Sequence, residues 1–90
     1  MKELNYFSYG HYSSSNHDVK TLAFEDGKGN TFYFSYKTLV AFKTKDKTLI
    51  VRENIWGPTT GKHLNWIDGG DKESRLSEKE FEKKYHEIFG

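Results

Sequence analysis

Gly57-Pro58-Thr59-Thr60-Gly61-Lys62-His63 places two glycines, two threonines and a lysine together, the residue types that hold a phosphate. A nucleotide-hydrolysing phosphate loop needs four residues between its glycines and a Ser or Thr directly after the Lys. Here three residues separate Gly57 from Gly61, and His63 follows Lys62. What the pattern allows is one anion, or a backbone phosphate, at the N-terminus of a helix. The plainer reading is that Thr60 caps that helix and Lys62 is solvated. Either way Lys62 and His63 are expected at the surface.

The remaining reactive residue types form no recognised constellation. His11, His17, His63 and His86 lack the close, directed spacing of metal ligands. Glu82 and His86 stand four apart, as a surface hydrogen-bonded pair does. Asp68, Asp71 and Glu73 crowd a glycine-rich loop without the calcium-loop pattern. His63 with Asp68 or Asp71 has the residue types of an acid–base pair, yet no serine carries a nucleophile motif beside them. No catalytic, cofactor-binding or metal-binding residue is assigned.

Binding chemistry is better represented. The segment from Asn5 to Tyr12 carries Tyr6, Phe7, Tyr9, His11 and Tyr12, followed by a Ser- and Asn-rich stretch. Tyr supplies large contact area at low entropic cost, and Ser, Gly and Asn adapt their hydrogen bonds, which is the composition of a protein-binding surface. Lys43, Lys45 and Lys47 alternate around one hairpin tip, and Lys62, Lys72 and Arg75 form a later basic group. With rings such as Tyr33 and Trp66 they have the means to stack bases and contact phosphates. Asp26, Asp46 and Glu53 dilute that field, and lysines also keep sheet edges soluble. The residues assigned to partner binding are Tyr6, Tyr9, His11, Tyr12, Thr60, Lys62, His63 and Trp66.

The elements that must position these groups follow from hydrophobic periodicity. Residues 1–18 form an aromatic and then polar segment, the first part a short edge strand. Residues 19–53 alternate as a β-meander. Leu22 and Phe24 share one strand face. Asp26-Gly27-Lys28-Gly29-Asn30 is a turn, and Phe32 and Phe34 share one face of the return strand. Tyr36-Lys37-Thr38 reads as a tight turn or a bulge before Leu39–Lys43, and Thr48–Glu53 returns after a polar turn. In the 55–75 region Pro58 stops the strand. Leu64 and Ile67 then favour a helix over Gly61–Ile67, while His63–Ile67 as a fifth strand stays open. Residues 77–89 form the clearest helix. Ser77 and Glu80 make a capping box, and Phe81, Tyr85, Ile88 and Phe89 repeat at helical spacing. Docking is expected through Phe81, Tyr85 and Ile88.

The expected fold is therefore α+β: a curved, four- to five-stranded antiparallel meander with a C-terminal α-helix packed across one face. At 90 residues the chain makes one domain with one core. Only 34% of residues are hydrophobic, but the 17% that are aromatic can build that core from a few large rings. There is no cysteine, hence no disulfide framework or thiolate chemistry. A net charge of +1 gives no global pull toward nucleic acid or membrane. No apolar run is long enough to span a bilayer and the N-terminus lacks a signal-peptide pattern, so no membrane partner and a cytoplasmic location are expected.

Trp56-Gly57-Pro58-Thr59-Thr60-Gly61-Lys62-His63-Leu64-Asn65-Trp66-Ile67-Asp68 resembles a motif of small, uncharacterised, mostly phage- and prophage-encoded domains. Ser35–Phe42, Val51–Asn54 and the closing Ser74-Arg75 before an acidic, Phe-containing helix resemble the same family. The likeness covers roughly residues 31–89 and leaves Asn5–Tyr12 outside. It supplies no catalytic residues. It implies a bacterial host and a setting in which short proteins bind and block host defence machinery. The expected function is a non-catalytic inhibitor acting by protein–protein contact on a host protein or ribonucleoprotein complex. The alternative is a nucleic-acid-binding accessory domain.

Overall fold

A computed structural model describes residues 5–10 and 21–90. Strands β1 (Asn5–Ser8), β2 (Leu22–Glu25), β3 (Thr31–Ser35), β4 (Thr38–Lys43) and β5 (Leu49–Val51) are followed by helix α1 (Pro58–Asp68). A single 3₁₀ turn at Lys72–Ser74 leads into helix α2 (Glu78–Phe89). The strands pair in chain order as one antiparallel sheet of five. The fold is α+β, as the sequence implies. Its fifth strand is the N-terminal β1, and His63–Ile67 is helical.

Strand register sorts the side chains into two rows. Tyr6, Phe24, Phe32, Phe42 and Ile50 stand opposite one another, as do Phe7, Ala23, Tyr33, Ala41 and Val51. Successive residues of a strand point to opposite faces, so the rows line opposite faces of the sheet. Helix α2 covers the phenylalanine row. Phe81, Tyr85 and Phe89 all close on the Phe42 ring, at 5.2, 5.8 and 5.3 Å. Phe89 also meets Phe32 at 5.1 Å. Ile88, expected at this contact, is instead 44% exposed. Residues 81, 85 and 89 recur every four and stay on one stripe, which turns position 88 outward.

The other row is covered by α1, a second helix on the face that the sequence left open. Ala23 and Ala41 are fully buried and small enough to admit it. Leu64 of α1 packs with Val40, Ala41 and Val51, and Tyr33, Leu49 and Ile67 close around them. The register of β3 and β4 slips between Tyr33 and Phe34, leaving Val40 unpaired on β3. Its carbonyl accepts from Arg52 N at 2.9 Å instead.

Arg52 ties the two faces together. Its buried guanidinium lies over the Trp56 and Phe81 rings, at 4.8 and 5.6 Å, and pairs with Glu78 at 3.3 Å. Beside it Leu76 bonds Val51 O and Glu53 N, covering the β5 edge. Helix α2 starts as its capping box requires: Glu80 N donates to Ser77 Oγ at 3.2 Å. The reciprocal contact differs from expectation, since the Glu80 carboxylate accepts from the Ser77 hydroxyl at 3.1 Å. On the outer side of this helix Lys84 pairs with Glu87, three positions on, at 3.9 Å.

Candidate functional site

Helix α1 begins three residues earlier than its apolar spacing implies. Pro58 occupies the first turn, where its fixed φ suits the helix and its missing N–H costs nothing. Gly57 is the N-cap residue, which corrects the expectation that Thr60 caps. A glycine has no side chain to accept from the first turn. Asn54 acts just upstream: its Oδ1 accepts from Trp56 N (3.0 Å) and Gly57 N (3.2 Å), and its Nδ2 donates to Gly57 O (2.9 Å). Gly61 belongs to the same arrangement. A Cβ there would lie 2.9 Å from Asn54 Nδ2. The glycine spacing that resembles a phosphate loop thus serves helix initiation and the close approach of Asn54.

Thr60 and His63 face inward. His63 is fully buried, and Ser35, at the end of β3, is 3% exposed. His63 is therefore no surface group, in contrast to the sequence-based expectation. Thr60, His63, Leu64 and Ile67 fall at i, i+3, i+4 and i+7, so the histidine lies on the helix stripe that meets the sheet. Ser35 Oγ and His63 Nδ1 share a hydrogen bond of 2.7 Å, and Ser35 Oγ and Thr60 Oγ1 share one of 3.3 Å. A serine hydroxyl on an imidazole nitrogen is the contact of a nucleophile with its base. Here the hydroxyl is enclosed, and its second partner is another hydroxyl. The cluster pins α1 to β3.

Outward from this cluster runs a row of rings. Tyr36 sits at 5.9 Å from the His63 ring, and Trp66 stacks on His63 at 5.8 Å with an interplanar angle of 22°. The Lys62 ammonium lies over the Trp66 ring at 5.3 Å, within cation–π range. Tyr36 is 50% exposed, Trp66 is half-buried and Lys62 is exposed. Three of the residues assigned to binding, Lys62, His63 and Trp66, are thus brought together, with Thr60 beneath them. Ser35 and Tyr36 were missed. The available signal was a two-residue gap between strands with neither Gly nor Asn in it.

The adjoining flank of α1, with Lys62 at the boundary, is a polar groove of about 470 Å³ lined by Lys62, Lys72, Arg75, Asn54 and Asn65 together with the acidic Glu53. The late basic group of the sequence is gathered here. Arg75, however, is already paired: Nε and Nη2 donate to the two Asp68 oxygens at 2.7 and 2.9 Å, and Nη2 also reaches Asn65 Oδ1 at 3.1 Å. Both side chains of that ion pair are buried. Asp68 thus serves the α1 C-terminus, where Gly69 adopts the left-handed conformation at φ 67°, and not an acid–base pair.

The N-terminal residues separate. Tyr6 is exposed and lies 6.0 Å from Phe24 on the α2 face. Tyr9, expected as an exposed ring, is half-buried; it meets Tyr33 edge-on at 5.5 Å and its hydroxyl donates to Phe34 O at 2.8 Å. His11 and Tyr12 lie outside the described residues. Among the described residues no His, Cys, Asp or Glu cluster is arranged to hold a metal ion, and no helix is long and apolar enough to cross a membrane.

No curated protein and no solved structure matches the chain. The pattern of one family of unknown function, DUF8033, matches residues 6–83. The chain belongs to that family. The match takes in Tyr6, Tyr9 and Tyr12, so these aromatic residues lie within the DUF8033 region.

Proposed function

We propose that this member of DUF8033 is a non-catalytic binding protein, acting by contact with another protein through the α1 flank where Tyr36, Trp66 and Lys62 stand. The observation that carries the reading is the ring row Tyr36–His63–Trp66, whose central member is held from below by Ser35. Rings fixed by a buried hydrogen bond lose little freedom on binding, and interface energy concentrates in such aromatic anchors. The enclosure of Ser35 and His63 makes this pair a structural contact, which is why the reading gives it no catalytic role. The likeness of the Trp56–Asp68 motif to phage-encoded domains carries the finer reading: an inhibitor of a host defence complex, working in the bacterial cytoplasm.

The groove beside α1 favours a second reading, a nucleic-acid accessory role through Lys62 and Lys72. The commitment of Arg75 to Asp68 weakens it. A pull-down of tagged protein from bacterial lysate, with and without nuclease, separates the two. A nuclease-resistant protein partner is expected, with a salt dependence less steep than the slope of log K against log salt that a row of phosphate contacts gives. Lys62→Glu should melt within about 0.5 kcal/mol of wild type, as exposed substitutions do, and weaken the partner. Equal binding by Lys62→Glu would remove this flank from the interface.

A further inference from the structure

Strands β3 and β4 are joined by Tyr36 and Lys37 alone, since Ser35 pairs with Thr38. Tyr36 has φ 56° and Lys37 does not share the positive sign. A positive φ at the first residue of a two-residue hairpin loop is a conformation that favours glycine, then asparagine or aspartate. An aromatic side chain there is a strained choice. Glycine takes this conformation at Gly27, Gly29, Gly69 and Gly70; among the described residues the other non-glycine residue at positive φ is Lys47, at 69° in the β4–β5 turn. Burial does not offset the strain at Tyr36, because half of the residue faces solvent.

The support of the ring is unusually firm. One side of Tyr36 rests near the His63 ring, and His63 is bonded to Ser35, the residue that directly precedes Tyr36. Backbone and platform are thus fixed by one hydrogen bond. A strained, half-exposed and rigidly supported tyrosine has the properties of an interface anchor. Exposed Lys37 adjoins it in the chain and exposed Lys62 ends the ring row, while the turn from Ser35 to Thr38 holds no acidic residue. A phenol donor between lysines complements carboxylates.

We propose that Tyr36 is the anchor of the partner interface, kept at a strained turn for that purpose, and that the partner is a protein presenting an acidic surface to it. The inference rests on the binding reading above and adds the residue and the partner's chemistry.

The test joins melting curves of wild type, Tyr36→Gly and Tyr36→Phe to selection of a displayed random-peptide library on the wild-type protein. A fluorescently labelled single-stranded oligonucleotide is titrated in parallel. Tyr36→Gly should melt a few degrees higher, because glycine relieves the strain. Selected peptides should be rich in Asp and Glu and should lose at least ~10-fold in affinity on Tyr36→Gly. Tyr36→Phe, which keeps the ring and the strain, should lose less. A Tyr36→Gly protein that melts below wild type would show the ring to be a structural cover for His63 and overturn the proposal. Selected peptides indifferent to Tyr36→Gly, or without acidic residues, would also overturn it while the binding reading stands. Oligonucleotide binding that depends on Tyr36 would replace the acidic protein by nucleic acid. No selected peptide and no protein in the pull-down would end both readings.

Discussion

Helix α2 meets the sheet mainly through rings, with the Arg52–Glu78 pair at its start, whereas helix α1 meets it through Leu64 and Ile67 together with the buried Ser35–His63–Thr60 cluster. Ring contacts are non-directional and tolerate small shifts of the helix. Hydrogen bonds between buried side chains fix both position and rotation, and leaving one unmade is costly. The α2 face is therefore held by ring contacts, and the α1 face, where Val40, Ala41, Val51 and Leu64 are buried together, adds a defined geometry. The ring row that reaches the surface is attached to the second kind of contact.

The largest effect expected from breaking this comparison is on the α2 side. Phe81 is 2% exposed and packs on Phe42. Removing a buried phenylalanine ring costs ~3–5 kcal/mol, a large share of the ~5–10 kcal/mol a domain of this size can hold. Phe81→Ala should be largely unfolded at room temperature by circular dichroism. A melting point within a few degrees of wild type would mean that α2 is not held to the sheet by its rings.

A smaller loss is expected on the α1 side. Ser35→Ala leaves His63 Nδ1 and Thr60 Oγ1 without the hydroxyl that both meet, at a cost of ~1–3 kcal/mol. Replacing both partners of a hydrogen bond by apolar groups is often nearly neutral. The double variant Ser35→Ala, His63→Leu should therefore unfold in urea at a higher concentration than the sum of the single losses implies. Strict additivity in that cycle would show that Ser35 and His63 do not act as a unit, and the comparison of the two faces would lose its basis.

These two faces also differ in how readable they are. The α2 helix announces itself in local signals: Ser77 and Glu80 three apart, and aromatic residues at helical spacing. The error at Ile88 is one of rotation, since Ile88 and Phe89 are neighbours and only the sheet decides which faces it. The α1 helix was harder because its buried stripe contains Thr60 and His63, polar types that a hydropathy reading assigns to solvent. Including them gives the i, i+3, i+4, i+7 pattern of an ordinary packed helix. The partner that makes a buried histidine tolerable, Ser35, stands 28 residues away in sequence. Nothing local connects them. The sequence leaves Tyr36 in a tight turn or a bulge; that it is a two-residue turn, with a positive φ at its first position, is revealed only by the pairing of Ser35 with Thr38.

The smallest expected effect sharpens the comparison from outside both faces, at a polar cluster exposed to water. Asp26 opens the β2–β3 loop. Its Oδ1 accepts from Lys28 N and Asn30 N, at 2.8 and 3.1 Å, and its Oδ2 accepts from Asn30 Nδ2 at 2.8 Å. The Asn30 side-chain amide, helped by these backbone donors and the Lys28 charge, holds the Asp26 carboxyl below the usual carboxylate range against an upward push from burial. Asp46, at the β4–β5 tip, is lowered in the same way by the Thr44 and Thr48 hydroxyls. A carboxyl lowered in the folded state takes up its proton later than in the unfolded chain as acid is added. The stabilisation is therefore complete above the unfolded value, near pH 4, and is lost as pH falls through the lower folded one. In an NMR titration the Asp26 carboxyl carbon should show a midpoint below that of a peptide covering the same loop, and the Lys28 and Asn30 amides should move with it. Because the cluster is open to solvent and screened, the melting point should change far less through this window than it does on Ser35→Ala. A midpoint equal to the peptide's would mean that the loop's hydrogen bonds do not persist in solution. A fall in melting point as large as that of Ser35→Ala, reproduced when Asp26→Asn removes the titration, would show that a polar cluster need not be buried to hold this sheet together.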